Sequence, residues 1–279
     1  MIFKTLQNIC IADITVVFNH AFSDYIVPIQ LTQEQMVNKI KGDGINLQLS
    51  VGAFDDDRLV AFIFHGYDEE AGKQIFYNAG TGVIPSHRGN GITKKMYAFI
   101  LQKLNAKQGD KTLLEVITEN KPAIKTYTGI GFQAVRTLNC YKGTLALKPL
   151  SSNHNIKIDS HYDWDTMASF WDVVPSWQNS VRALKQLQQT NVLIAAYDSD
   201  CLVGYIIYNP LVKRAQQFGV AKSHRKKGIG SQLFAFVAQH YSPEISVINI
   251  DDNDKNCVHF LESSGLNKFV TQYEMEMAL

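Results

Sequence analysis

The chain repeats itself. Val83-Ile84-Pro85-Ser86-His87-Arg88-Gly89-Asn90-Gly91-Ile92 matches Val220-Ala221-Lys222-Ser223-His224-Arg225-Lys226-Lys227-Gly228-Ile229 in six of ten places, at an offset of 137 residues. Upstream, Phe54-Asp55-Asp56-Asp57-Arg58-Leu59-Val60-Ala61 parallels Tyr197-Asp198-Ser199-Asp200-Cys201-Leu202-Val203-Gly204 at an offset of 143: an aromatic, an acidic turn, then an apolar strand. The offset falls because the first copy carries a longer polar loop at 67–73 (YDEEAGK). Ordered matches of this kind indicate two copies of one fold. The 279 residues then divide into domains of ordinary size. The polar, Ser/Asn-rich stretch 149–155 (PLSSNHN) reads as the linker, giving domains 1–150 and 151–279.

Each copy reads as mixed α/β. In the first, β-rich runs at 46–54 and 59–66 flank the acidic turn as a hairpin, and 74–84 adds a third strand. A helix follows over 88–104, with Met96, Phe99, Ile100 and Leu104 on one face. A strand at 113–118, a helix at 121–129 and a strand at 132–141 complete the copy. The second copy repeats the order: strands 192–197, 202–209 and 216–220, helix 227–239, strand 245–250, helix 255–264 and a last strand at 268–277. Helices at 32–41, capped by Thr32, and at 179–188 precede the hairpins.

Apolar residues make up 46% of the chain, charged residues 19%, and the formal net charge is +1, which describes a globular protein. No run approaches the roughly 18 apolar residues needed to span a bilayer, and residues 1–10 lack the pattern of a signal peptide, so a cytoplasmic protein without a membrane partner is expected. Balanced charge speaks against a nucleic-acid partner, whose phosphates need a basic surplus. Cys10, Cys140, Cys201 and Cys257 are scattered without metal-ligand spacing, so buried, reduced thiols and no metal are expected. Asp251 to Asn256 with Glu262 mimics a calcium loop, but Asn256 stands where glycine is required and Lys255 where a ligand is. Gly80-Thr81-Gly82 lacks the third glycine of a dinucleotide fingerprint.

The strand, glycine turn and helix unit carries the chemistry. A helix start offers unpaired backbone N–H groups and the positive end of the macrodipole, and glycine lets an anion come close. Arg88-Gly89-Asn90-Gly91-Ile92-Thr93 and Arg225-Lys226-Lys227-Gly228-Ile229-Gly230-Ser231 both follow a strand, ending in Val83 and Val220, and both open an amphipathic helix. For a single short match a plain glycine turn with a solvated arginine is the better reading; duplication in the same context favours a pyrophosphate cradle.

These residues resemble the GNAT family of N-acetyltransferases, whose acyl-CoA motif is (Gln or Arg)-x-x-Gly-x-(Gly or Ala). The second copy fits through Arg225, Gly228 and Gly230; the first has Thr93 in the last small position. The family's second motif, Asn-x-x-Ala-x-x-x-Tyr-x-x-x-Gly-Phe, is matched by Asn120, Ala123, Tyr127, Gly131 and Phe132, whereas the second copy reads Asp254, Cys257, Leu261, Gly265 and Leu266. The resemblance implies two tandem GNAT-like domains, each a mixed, mostly antiparallel sheet flanked by helices, with acetyl-CoA as co-substrate. It implies acyl-CoA contacts from Val83, 88–93 and Asn120 in the first copy, and from Val220, Arg225, Lys226, Gly228, Gly230 and Ser231 in the second.

The resemblance further implies direct attack of an amine on the thioester in a ternary complex. A backbone N–H at a splayed strand within 77–83 would polarise the carbonyl, and Tyr127 would serve the leaving thiolate. Leu261 can do neither, so the first copy is expected to be catalytic, acting on a small-molecule amine, as monomer or homodimer. The base is open. Glu115 and Glu119 are candidates, but a surface or strand-end carboxylate is the simpler reading of each, and His87 and His224 read as structural or phosphate-side groups. Residues 18–25 read either as an acceptor-pocket wall or as a core helix with Phe18 and Phe22 inward, and the three tryptophans as packing or a ligand groove. Competing readings are a non-catalytic acyl-CoA sensor, catalysis in the second copy, and aminoacyl transfer from tRNA, against which the charge speaks.

Overall fold

The computed structural model describes residues 1–70, 72–146 and 154–279; the expected linker falls mostly outside them. Two compact units form: Met1–Arg136 with Tyr273–Leu279, and Thr137–Gln272.

The first unit runs β1 (Ile2–Thr5), α1 (Ile11–Ala21), α2 (Gln33–Asp43), β2 (Val51–Asp55), β3 (Arg58–Glu70), β4 (Lys73–Val83), α3 (Ile92–Ala106), β5 (Lys111–Ile117) and α4 (Lys121–Thr128). Thr32 caps α2 in a capping box, accepting from the Gln35 amide at 3.2 Å while the Gln35 side chain accepts from the Thr32 amide at 2.9 Å. Residues 67–70 and 73 are strand, not loop: the β3–β4 ladder continues through Tyr67↔Phe76 to Glu70↔Lys73. Its polar residues extend a hairpin, where backbone pairing does not depend on a buried face. Helix α3 starts at Ile92, later than expected, because 85–87 make a 3-10 turn and Gly91 adopts φ 66° as its N-cap.

The sheet buries both faces. On one, Val51, Ala53, Ile63, Leu114 and Val116 pack with Met96, Ile100 and Leu104 of α3 and Tyr127 of α4. On the other, Phe62 and Phe64 stack on Phe18 of α1 at 5.7 and 6.4 Å. Each such buried aromatic or aliphatic side chain contributes about 1.5–3 kcal/mol.

β6 (Gln133–Thr144) starts in the first unit and runs into the second, which continues with β7 (Asn155–Asp159), α5 (Trp164–Ser169), α6 (Val181–Gln186), β8 (Val192–Asp198), β9 (Cys201–Asn209), β10 (Arg214–Val220), α7 (Ile229–His240), β11 (Glu244–Asp251) and α8 (Lys255–Ser263), and β12 (Asn267–Ala278) starts in the second unit and ends in the first. The helix expected over 179–188 is α6, shortened by its cap Ser180. Ile194, Val203 and Ile206 meet Leu233 and Val237 of α7, and Met167, Phe170 and Leu184 cover Leu193, Tyr205 and Ile207 on the other face.

The closing strands are exchanged. β6 ends the first repeat, yet from Leu138 to Thr144 it pairs antiparallel with β11 of the second unit. The end of β12 closes the first unit: Met275 is in its core, Lys111 donates to Glu276 at 2.6 Å, and the Leu279 amide donates to the Asp110 carbonyl at 3.1 Å. The boundary near 150 therefore marks where the sequence pattern restarts, whereas the compact units follow from the sheet each closing strand joins. Two cysteines also depart from expectation: Cys10 and Cys201 are exposed, and Cys10 accepts from the Asp13 amide at the start of α1.

Candidate active site

The splay expected within 77–83 is present. β4 pairs in parallel with β5 only from Ile75↔Lys111 to Asn78↔Leu114, and its register with β3 shifts between Asn78 and Gly80. β4 therefore bulges where it parts from β5. Asn78, Thr81, Tyr97 and Tyr127 gather at the opening. Asn78 Nδ2 donates to Tyr97 Oη at 2.6 Å and to Thr81 Oγ1 at 2.9 Å, and Asn78 Oδ1 accepts from the Gly80 amide at 3.0 Å. The Tyr97 and Tyr127 rings meet edge-on at 6.3 Å. Burial pushes the Tyr127 hydroxyl up to about 12, against hydrogen bonds from Thr81 and Asn78. Tyr127 thus keeps its proton and is a hydrogen-bond donor.

Tyr127 reaches this place because α4 is pinned. Asn120 caps it, accepting from the Ala123 amide at 3.2 Å, and Phe132 is buried beneath Tyr127. In the second unit Asp254 performs the same cap, accepting from the Cys257 amide at 3.0 Å. Asn and Asp are interchangeable caps, so the frame survives a motif that the sequence shows as largely lost. Gly131 and Gly265 both have positive φ, and Phe132 and Leu266 are both core.

Gly89 and Gly91 have φ of 80° and 66° with open space where a Cβ would stand. Lys226 and Gly228 take the same conformations in the second loop, at 59° and 82°. Neither α3 nor α7 has a side-chain cap, so their first amides have no side-chain acceptor and are open to water or a ligand. A Cβ at Gly230 would lie 3.4 Å from the Phe260 ring, an ordinary contact. Packing therefore does not demand glycine there, and the side chain of Thr93 is the crowding difference between the loops. Ile92 is buried behind the first loop, Asn90 Nδ2 donates to the His87 carbonyl at 3.2 Å, and Ser231 lines the second loop's cavity.

Both arginines serve the protein itself. Arg88 donates from Nε to the Val83 carbonyl at 3.0 Å, from its terminal nitrogens to both Asp24 oxygens at 2.7 Å, and to the Ala21 carbonyl at 2.9 Å. Arg225 repeats this with the Val220 carbonyl (3.3 Å), Asp172 (2.5 Å) and the Phe170 carbonyl (2.6 Å). The Arg88 hydrogen bond holds the Asp24 carboxyl below its usual range. The guanidinium ties the strand end to the segment after the preceding helix and so shapes the loop. His87 and His224 are also structural, each between a neighbouring serine and Asp55 or Asp198 of the hairpin turn. The repeated aromatic-x-Asp of Phe22-Ser23-Asp24 and Phe170-Trp171-Asp172 was the available signal for the clamps.

Residues 18–25 supply the core helix that was one of their two readings. Phe18 is core, while Tyr25, raised by burial, hydrogen-bonds Asn120 beside Tyr127. Glu119 is exposed and bonded to the Thr118 hydroxyl, whereas Glu115 turns inward beneath Tyr77.

In the second unit β10 pairs with β11 only at Arg214↔Ser246 and Ala215↔Val247, and beyond them lies a cavity of about 490 Å³. Its lining runs from the Arg225–Ser231 loop past Phe218 and Phe260 to Trp171, Val174 and Pro175. Trp177 is buried and Trp171 donates to Tyr205 Oη at 2.7 Å, so the tryptophans divide between packing and the cavity wall. Among the described residues no cluster could hold a metal, and no helix is long and apolar enough to cross a membrane.

A splayed sheet with an uncapped, glycine-turned helix start at its mouth, built twice, defines a tandem acyl-CoA-dependent transferase fold. The family model described as Acetyltransferase (GNAT) family matches residues 15–132 and 154–266, and the chain belongs to that family as a tandem two-domain member. No curated protein matches the sequence. Among solved structures, a tandem GNAT protein from the clavulanic acid biosynthesis pathway is similar at TM-score 0.74 and 12% identity, over 99% of this chain and 98% of its own. A GCN5-related N-acetyltransferase from Sphaerobacter thermophilus is similar at 0.72 and 14%, over 99% and 95%. A putative acetyltransferase from Pyrococcus horikoshii is similar at 0.71 and 14%, over 100% and 89%. At these identities the likeness is one of fold. Acyl transfer from acetyl-CoA is typical of the family.

Proposed function

We propose that the chain is an N-acetyltransferase that moves acetyl from acetyl-CoA to an amine of a small molecule, by direct attack in a ternary complex, with the chemistry in the first unit. The observation that carries this reading is the Tyr127 hydroxyl, held by Thr81 and Asn78 at the splay of β4 and β5. The amides at the start of α3 would receive the diphosphate of acetyl-CoA, and the pantetheine arm would run to the splay. There the Gly80 amide already donates to a side-chain carbonyl, that of Asn78. A thioester carbonyl replacing it would be polarised in the same way.

As the C–S bond breaks, charge collects on sulfur. The thiolate of a thiol with pKa about 8.5 cannot take the proton of a phenol near 12 without a climb, so Tyr127 acts by hydrogen-bonding the thiolate. The second unit's cavity supports acyl-CoA binding there too, through Gly228, Gly230 and Ser231, but Leu261 offers no donor. A sensor role for that unit is the second reading. The test is thiol release from acetyl-CoA across a panel of amines: release with at least one amine is expected, while binding without release on every amine would leave only the sensor.

A further inference from the structure

The two splayed strands bulge at the same place with different residues. On β4 the register with β3 skips Ala79, and on β10 the register with β9 skips Gln216, the equivalent residue at the offset of 137. Each is the extra residue of a β-bulge, a device that re-aims a side chain. Alanine has nothing to offer a polar group. Gln216 brings a carboxamide to the second unit's cavity: it is 7% exposed, lines the cavity, and its side chain has no hydrogen-bond partner among the described residues.

A second amide borders the same space. Asn179 lies across the opening between the strands, donating from Nδ2 to the Ile248 carbonyl of β11 at 2.8 Å, while its own backbone carbonyl accepts from Gln217 Nε2 of β10 at 2.7 Å. It is 4% exposed and lines the cavity, yet its Oδ1 has no partner. Buried polar atoms are costly to leave unpaired, so two at one cavity point to a ligand that pairs them. Their polar neighbours are already engaged. Gln217 Oε1 accepts from Tyr205 Oη at 2.8 Å, Asn249 Oδ1 accepts from Gln272 Nε2 at 2.8 Å, and Asp172 is held by Arg225. Trp171, Val174, Pro175 and Phe218 add apolar wall. A charged group entering here would meet no free counter-charge, whereas an uncharged polar group on an apolar chain fits.

We infer that this end of the cavity is an acyl-group pocket, and that the second unit takes a CoA thioester whose acyl chain is longer than acetyl, uncharged, and carries a hydroxyl or amide N–H. The donor hydrogen goes to Asn179 Oδ1, and the Gln216 carboxamide, which both donates and accepts, pairs with the same group. This rests on the reading above that the second unit binds acyl-CoA through Gly228, Gly230 and Ser231, and it names the ligand of that site. Acetyl has no donor and would leave Asn179 Oδ1 unpaired. Leu261 offers nothing to a departing sulfur, so the thioester is held and not consumed.

The test is titration calorimetry of the full-length protein with acetyl-, butyryl-, 3-hydroxybutyryl- and succinyl-CoA. Gly91→Val and Gly228→Val, each of which strains one loop, assign a site to its unit. The second unit is expected to bind 3-hydroxybutyryl-CoA about 10-fold more tightly than butyryl-CoA, and succinyl-CoA more weakly than either. Gln216→Met keeps the length of the side chain and removes its carboxamide, so 3-hydroxybutyryl-CoA should then bind no better than butyryl-CoA. Gln216→Ala, which installs the residue of the first unit, should do the same and decides alone where the methionine variant does not fold. A hydroxyl preference absent from the wild type, retained in the Gln216 variants, or lost in Gly91→Val but not in Gly228→Val overturns the pocket. Binding of free 3-hydroxybutyramide as tight as that of the thioester would overturn the CoA-borne ligand in favour of a free one. A single acetyl-CoA site that Gly228→Val leaves intact overturns acyl-CoA binding by the second unit instead.

Discussion

The two units share a frame and differ in what lines the splay. At equivalent positions the first has Asn78, Thr81, Tyr97 and Tyr127, and the second Ala215, Phe218, Phe234 and Leu261. The first four make a network of hydroxyl and amide groups. In the second, Phe218, Phe234 and Phe260 pack with ring centroids 5.0 to 6.2 Å apart beside an open cavity. Glu115 has Asn249 as its counterpart, counting by the offset of the Asn120 motif, so the second unit lacks an ionisable group there as well. The mouth of the site is kept twice and the hydroxyl and amide network at Asn78, Thr81, Tyr97 and Tyr127 once. Holding a diphosphate needs only backbone amides and room, whereas transferring an acetyl group needs donors placed at the reacting atoms.

The largest expected effect is at Tyr127. Tyr127→Phe should slow thiol release by about 10²–10⁴-fold with acetyl-CoA affinity nearly unchanged. Leu261→Ala should leave turnover as it was, and steady-state kinetics on both variants breaks the comparison if their effects are equal.

His65 comes next. It is fully buried on β3, and burial pushes its imidazole down to about 4 against a backbone hydrogen bond at Leu49; its counterpart in the second unit is Tyr208. Between pH 4 and 6.5 the unfolded chain binds a proton that the folded one does not, so stability is lost as pH falls through that window, by about 3 kcal/mol. The first unit should therefore open first in acid. All three tryptophans belong to the second unit, so amide exchange in the first should rise while tryptophan fluorescence stays native, and His65→Phe should narrow the gap.

A smaller effect is expected at the loops. Gly91→Val and Gly228→Val each force a β-branched residue to positive φ, at a cost of about 1–2 kcal/mol to that loop. By titration calorimetry each should weaken one of two acetyl-CoA sites, and only Gly91→Val should weaken turnover. Smallest is the clamp: Arg88→Ala and Arg225→Ala should each raise amide exchange in its own loop, since both arginines are partly exposed and their ion pairs weakly stabilising. A loss of acetyl-CoA affinity with no change in exchange would mean that the guanidinium faces the ligand after all.

Much of this was legible in the sequence. The hairpins announced themselves through apolar runs around acidic turns, the two loops through a duplicated glycine pattern, and Tyr127 only through the family motif that it shares with Asn120 and Phe132. The strand exchange was not legible, because β6 and β12 end equivalent repeats and nothing local says which sheet either one closes. β1 and β7, at four and five residues, were too short for a periodic signal. The arginines were expected among the acyl-CoA contacts because the family motif carries them, while the Asp24 and Asp172 carboxylates folded against them lie outside that motif. Glu115 looked like a strand-end carboxylate because burial on a β-strand depends on which neighbours cover it, here Tyr77 and the last strand of the chain.

The most direct measurement is a structure of the full chain with a thioether analogue of acetyl-CoA. The account predicts the analogue in the first unit, its diphosphate on the amides at the start of α3 and its sulfur within hydrogen-bond reach of the Tyr127 hydroxyl. An analogue bound in the second unit alone, or one whose sulfur lies far from Tyr127, would contradict it.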